Sequence, residues 1–307
     1  MTSIVFFGTP EEAVPTLTEL AARFDVRLVI TPPDRPRGRS KRPQPPPVKV
    51  EAERLGIPVE QPEKSAQIAE TLTRHGPFDL GVVVAYGRIL RPEVLDAPAH
   101  GILNLHFSLL PRWRGAAPVA RALMAGDTMT GVTIIRLDEG LDTGPVLTAQ
   151  LVDIHPAEDA GALTDRLARL GARLLASVIP GYVAGAILPV PQSDDGVTYA
   201  EKITAADRPL DGIADPAEFL GRVRGLAPDP GAVLVIDGEP HKVLAARADG
   251  DAPPAGTWEL RDGFPVVPVG DNGVVLVTLQ PPGGKPMPGD AWARGRRRTG
   301  GSVGAAP

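Results

Sequence analysis

The chain has 307 residues, 43% hydrophobic and 22% charged, with no cysteine and a formal net charge of −5. That is an ordinary globular composition, long enough for more than one core, and the missing cysteines exclude disulfides, thiolate nucleophiles and Cys-based metal sites. No apolar run approaches the roughly 20 residues that span a bilayer, and the opening residues read as a strand rather than a signal peptide, so a cytoplasmic protein is expected.

Residues 4–7 are a short apolar run, followed by a Gly-Thr-Pro turn and an amphipathic helix over 11–22. A second strand is expected at 26–30, a long Pro- and Arg-rich loop at 31–47, and short helices at 48–55 and 65–75. Residues 79–85 (DLGVVVA) and 101–106 (GILNLH) are continuous apolar strands, 116–125 has helical spacing, and 131–137 and 145–153 are strands. The longest helix is predicted over 159–183, where Leu163, Leu167, Leu170, Leu174 and Val178 share a helical period. Apolar strands alternating with helices predict an α/β domain, a Rossmann-like, mostly parallel sheet with helices on both faces.

Beyond about residue 186 the texture changes. Residues 189–206 read as a polar linker with few anchoring side chains, followed by a short helix near 215–224. Brief Val/Leu-rich runs at 232–236, 241–246, 265–269 and 273–279 predict a small β-barrel. Three segments are therefore expected, at 1–188, 189–206 and 207–307, with a disordered Gly/Ala-rich tail from about 299.

The chemistry concentrates between residues 101 and 144. Asn104 and His106 lie two apart on a predicted strand, so both side chains leave the same face and Leu105 points away. They fall at a parallel strand end, where open α/β sheets place ligands. Residues 138–144 read DEGLDTG, with Gly140 and Gly144 bracketing Asp142 and giving that loop backbone freedom. Taken singly, a strand-end His is usually structural and Asp142 an ordinary turn residue; the combination points to a site.

Asn104-Leu105-His106, the run SLLPRWRG at 108–115 and DEGLDTG at 138–144 together resemble the folate-dependent formyltransferase family. The resemblance implies a catalytic trio of Asn104, His106 and Asp142, and 10-formyltetrahydrofolate as formyl donor. It also implies a folate-contacting turn at Ser108, Leu109, Leu110 and Pro111, with Val84, Ala85 and Tyr86 expected to line the opposite side. FFGTP, TPPDRPRGR and PRWRGAAP are similar to the branch of that family whose acceptor is a charged initiator tRNA. Weaker similarity runs through Thr198-Tyr199-Ala200-Glu201-Lys202 into the C-terminal part, for which the resemblance implies an oligonucleotide-binding-like barrel.

The chemistry such a reaction needs matches these residue types. An amine attacks a carbonyl, an oxyanion develops and a nitrogen leaves. A free α-amino group has a pKa of about 7.7–8, so it is partly neutral without an activated enzyme nucleophile. The enzyme supplies oxyanion stabilisation and a route for protons. Asn104 donates from its amide, His106 from a ring nitrogen, and Asp142 orients the ring and relays the amine proton. No metal is expected, since the five histidines (75, 100, 106, 155, 241) are scattered. Gly8-Thr9-Pro10 lacks the later glycines of a dinucleotide fingerprint, which weighs against an NAD-linked dehydrogenase.

The partner reading rests on the 31–47 loop. Arg35, Arg37, Arg39, Lys41 and Arg42 face a single acid, Asp34, across 34–42. Alone, such a run is usually a solvated surface; with the resemblance it becomes a tRNA-binding loop, Arg39 leading and Lys41 and Arg42 contacting backbone. From residue 207 onward Phe219, Trp258, Phe264 and Trp292 are the only aromatics, too few for base stacking, and Pro228-Asp229-Pro230 departs from the family's aromatic between two prolines. Arg222, Arg224 and Lys242 are the candidate phosphate contacts there, and a further basic cluster lies at Arg294, Arg296, Arg297 and Arg298. A monomer with no membrane partner is expected. The alternatives are a nucleotide-sugar formyltransferase, a formyl-folate hydrolase, or an inert RNA-binding protein.

Overall fold

A computed structural model describes residues 1–36 and 42–304, which divide into two compact units. The first comprises Met1–Pro118, Thr130–Val152 and Thr164–Ala200; the second comprises Val119–Met129, Asp153–Leu163 and Glu201–Pro307.

The first unit is built on seven strands: β1 (Ser3–Gly8), β2 (Asp25–Ile30), β3 (Val59–Glu60), β4 (Leu80–Val84), β5 (Ile102–His106), β6 (Met129–Arg136) and β7 (Val146–Asp153). Their order is β7-β6-β5-β4-β1-β2-β3. β1 pairs in parallel with β2 and β4, β2 with β3, and β4 with β5, whereas β6 runs antiparallel to β5. The central strands are apolar on both faces because both are covered. Val5 and Phe7 join Ile68, Leu72 and Phe78 in one core, while Ile4 and Phe6, one residue out of phase, are equally buried. Leu105 meets the long helix Ala160–Val183 so closely that a Cβ at Gly171 would strike its side chain, and Asn104 and His106 leave the other face. Strand order reverses between β1 and β4, the position where such sheets open a crevice beyond their carboxyl ends.

The long 31–47 loop contains a small ribbon, Arg35–Pro36 antiparallel to Pro43–Gln44. Its foot is pinned: Lys49 Nζ donates to both Asp34 oxygens at 2.9 and 3.0 Å and to Gln61 Oε1 at 2.9 Å. Gln61 in turn donates to Asp34 and to the Pro32 carbonyl, both at 2.8 Å.

The second unit is an antiparallel sheet: β8 (Ala232–Ile236), β9 (Glu239–Asp251), β10 (Thr257–Arg261), β11 (Phe264–Val269), β12 (Asn272–Gln280), β13 (Met287–Pro288) and β14 (Gly300–Ser302). The order is β8-β9-β12-β11-β10-β14, with β13 on β12. The sheet curls until its ends meet, Asp237 N donating to Ser302 O and Gly304 N to Val235 O, both at 2.9 Å. That makes a small barrel around Phe219, Leu234, Val243, Trp258, Leu276 and Trp292.

Two expectations need correction. The tail from about 299 is not disordered over 300–304, because Gly300–Ser302 pairs with Thr257–Glu259 and closes the barrel. A strand made by backbone hydrogen bonds needs no apolar side chain. Here glycine is demanded, since a Cβ on Gly301 would strike the Asp237 carboxylate and the Trp258 indole nitrogen. Nor is 189–206 poor in anchoring side chains. Tyr199–Ala200 pairs with Arg114–Gly115, Gln192 Oε1 accepts from the Arg114 guanidinium, and Thr198 Oγ1 accepts from Trp113 N. Among the described residues no helix is long and apolar enough to cross a membrane, and no group of His, Asp and Glu could hold a metal ion.

Candidate active site at the strand ends

Beyond the carboxyl ends of β1, β4 and β5 lies a cleft of about 580 Å³, within the range of small-molecule sites. Asn104, His106 and Asp142 all line it. Asn104 and His106 are only 7% and 6% exposed, so β5 delivers both into a largely dry setting.

The hydrogen bonds fix how each group faces. His106 Nε2 lies 2.8 Å from the Trp113 carbonyl, which can only accept, so Nε2 carries a proton. That leaves Nδ1 turned toward Asp142, 3.7 Å from Oδ2. Asp142 Oδ2 also accepts from the Gly115 backbone N–H at 2.9 Å, and Oδ1 accepts from Asn104 Nδ2 at a long 3.4 Å. Asp142 itself sits at φ +53°, a left-handed conformation that costs a non-glycine residue about 1 kcal/mol. Gly144 follows where any side chain would collide with the Arg136 carbonyl.

The 108–111 turn is held by its own hydrogen bonds. Ser108 is fully buried and donates to Arg112 O at 2.6 Å, while Thr133 Oγ1 donates to Ser108 O at 2.7 Å and accepts from Leu110 N at 3.1 Å. Leu109, Leu110 and Pro111 are partly exposed, and none of the four lines the cleft. The turn thus shapes the chain path to Trp113, whose carbonyl holds His106. Ala85 and Tyr86 do line the cleft, and Val84, fully buried, does not. Its apolar wall comes instead from Leu90, Leu95 and Leu137, with Ile89 and Leu141 exposed. Sequence reasoning passed over Gly87-Arg88-Ile89-Leu90, although it directly follows the β4 strand end. Tyr86 packs edge-on to Phe7, and burial pushes its phenol up from the ordinary value, opposed in part by Arg88.

The side chains of Arg35 and Arg42 are exposed on the ribbon, whereas Arg37, Arg39 and Lys41 lie outside the described residues. In the second unit the proposed phosphate contacts are already engaged. Arg222 holds Glu218 and Pro209 O, Arg224 donates to Glu158 O at 3.0 Å, and Lys242 lies 3.7 Å from Asp229. Phe219, Trp258 and Trp292 are at most 3% exposed, so they build the barrel core and offer no stacking surface.

A carboxylate, an imidazole and an amide converging at the strand ends of an open α/β sheet make a candidate site whose chemistry suits acyl transfer. Comparison with known proteins makes the class definite. The Formyl transferase family model matches residues 1–179, and the Formyl transferase, C-terminal domain model matches residues 202–297. The methionyl-tRNA formyltransferase of Halorhodospira halophila is 51% identical over 300 residues, covering 96% of each chain. That of a Methylobacterium species is 46% identical over 302 residues, again covering 96% of each. In fold, the N-formyltransferase of Helicobacter canadensis, solved with folinic acid and dTDP-3-aminofucose, aligns with a TM-score of 0.67 over 90% of this chain and 99% of its own, at 16% identity. The chain belongs to the formyl transferase family, among the methionyl-tRNA formyltransferases.

Proposed function

We propose that this chain is a formyl-transferring enzyme that moves the formyl group of 10-formyltetrahydrofolate onto the free amine of methionyl-initiator-tRNA, giving formylmethionyl-tRNA for translation initiation. The observation that carries the reading is the convergence of Asn104, His106 and Asp142 on one cleft, in a chain half identical to a named relative.

The substrate amine attacks the formyl carbon, a C–N bond forms and the carbonyl oxygen takes negative charge. Asn104 Nδ2, which spends only a long bond on Asp142, is the amide donor for that oxygen. His106 presents Nδ1, because Nε2 is committed to Trp113 O. As the amine loses a proton, Nδ1 accepts it directly or through water, and Asp142 stabilises the imidazolium so formed. Collapse breaks the bond from the formyl carbon to the folate nitrogen, and the same proton passes to that nitrogen. The Leu90, Leu95 and Leu137 wall suits a flat ring system whose edge meets backbone groups.

Residues 1–188 carry this chemistry, 189–206 connect, and the 207–307 barrel lends backbone contacts to the tRNA. Arg35, Arg37, Arg39, Lys41 and Arg42 of the 31–47 segment neutralise acceptor-end phosphates, and a monomer in the cytoplasm suffices for the task. Incubating the purified chain with 10-formyltetrahydrofolate and charged initiator tRNA tests this: formylmethionyl-tRNA is expected, and its absence refutes the reading.

A further inference from the structure

Gln192 lies outside the trio, in a stretch that composition marks as a polar linker, yet its amide makes four hydrogen bonds. Nε2 donates to the carbonyls of Asp142 at 2.7 Å and Gly144 at 2.8 Å. Oε1 accepts from Arg114 Nη2 at 2.7 Å and Nε at 3.1 Å. Carbonyls only accept and a guanidinium only donates, so the amide has one possible orientation and its hydrogen-bonding capacity is filled. Arg114 is 8% exposed, which places the junction in the interior.

What the amide joins gives it meaning. On one side is the segment 113–115, whose Trp113 carbonyl holds His106 Nε2 and whose Gly115 N–H holds Asp142 Oδ2. On the other is the loop that carries Asp142 at its left-handed φ of +53°. We propose that Gln192 is a positioning residue that locks the Asp142 loop to the 113–115 segment and so fixes the carboxylate's aim at His106. It touches neither reacting atom. Resting on the formyl-transfer reading above, the inference assigns the distance between His106 and Asp142 to a residue some fifty positions downstream. A displacement of about 1 Å in such a group can cost on the order of 100-fold in rate.

The test is Gln192→Glu in the full chain. A carboxylate keeps the Arg114 pairing but sets an oxygen against two carbonyl oxygens, so the loop is pushed off while the fold keeps its buried pair. Turnover is expected to fall about 10–100-fold, with a displaced limb in the pH profile of kcat and folate affinity within about twofold of wild type. Gln192→Asn, which keeps the amide but shortens its reach, should show the same split, with a smaller loss of kcat. A folded variant with wild-type kcat and pH profile overturns the proposal. So does equal loss of folate binding and turnover, or failure of both variants to fold, either of which makes Gln192 merely structural. Wild-type chain without formyl transfer removes the underlying reading, and the proposal with it; wild-type activity alongside an unaffected Gln192→Glu removes the proposal alone.

Discussion

His106 and Asp142 face each other across 3.7 Å, and the nitrogen that His106 offers is Nδ1, because its Nε2 is spent on the Trp113 carbonyl 2.8 Å away. The spacing is wider than a direct hydrogen bond. It leaves a proton-transfer partner held by its surroundings rather than by its carboxylate, free to take up a proton from the substrate side.

The tautomer is therefore a prediction. In the neutral ring the proton sits on Nε2. Nitrogen-15 NMR of the histidine side chains, assigned with His106→Gln, should show an Nε2–H resonance for His106. An Nδ1–H tautomer contradicts the arrangement.

Alanine at Asn104, His106 or Asp142 should lower kcat on the order of 100–1,000-fold each, while folate affinity survives. The losses should be far from additive, because members of one working constellation fail together. Steady-state kinetics of the single and double variants reads this directly; Asp142→Ala with near-normal turnover contradicts it.

How much of this was legible depended on the kind of interaction. The parallel sheet was readable because strands covered on both faces are continuous apolar runs, as in residues 80–84. Asn104 and His106 were readable because strand alternation is a local rule. Asp142 needed the family pattern. Gln192 was invisible because its partners lie 50 and 78 residues away, and nothing in a Pro/Asp-rich stretch marks them. Thr257–Arg261 and Gly289–Arg296 were missed because short elements with one buried tryptophan each carry little periodicity. The 108–111 turn was legible only through the family pattern, since the Thr133 hydroxyl that holds it lies 23 and 25 residues from its partners.

Barrel closure gives a stability prediction. Gly301→Ala places a methyl against Asp237 and Trp258 and should destabilise the protein by roughly 1–3 kcal/mol. Denaturant melts compare it with Gly304→Ala, where the nearest atom is 3.9 Å away but φ is +98°, so that control carries backbone strain alone. Equal stability of Gly301→Ala and wild type contradicts the account.

Asp207 gives a pH-dependent one. Its carboxyl is held down to about 2, chiefly by the Arg121 guanidinium at 2.6 Å, with Thr204 contributing. The folded pKa lies below the unfolded value, so the stabilisation is complete above about pH 4 and disappears as pH falls through about 2. Asp207→Asn should thus cost up to about 2 kcal/mol at neutral pH, with the difference from wild type vanishing near pH 2. A difference that does not change with pH contradicts the assignment.

The basic run 35–42 separates tRNA from small acceptors. Changing Arg39, Lys41 and Arg42 together to Ala should weaken tRNA binding. It should also flatten the slope of log affinity against log salt, by up to about 0.9 for each duplex phosphate no longer neutralised. Folate binding should stay unchanged, since the cleft lies at other strand ends. Unaltered tRNA affinity and slope would contradict a tRNA role for these three residues.

The most direct measurement is formyl transfer from 10-formyltetrahydrofolate to three acceptors offered side by side: charged initiator tRNA, free methionine and an amino-sugar nucleotide. The account predicts kcat/KM for the charged tRNA orders of magnitude above the other two, and loss of that transfer in Asp142→Ala. Efficient formylation of the amino-sugar nucleotide, with the charged tRNA untouched, would contradict it.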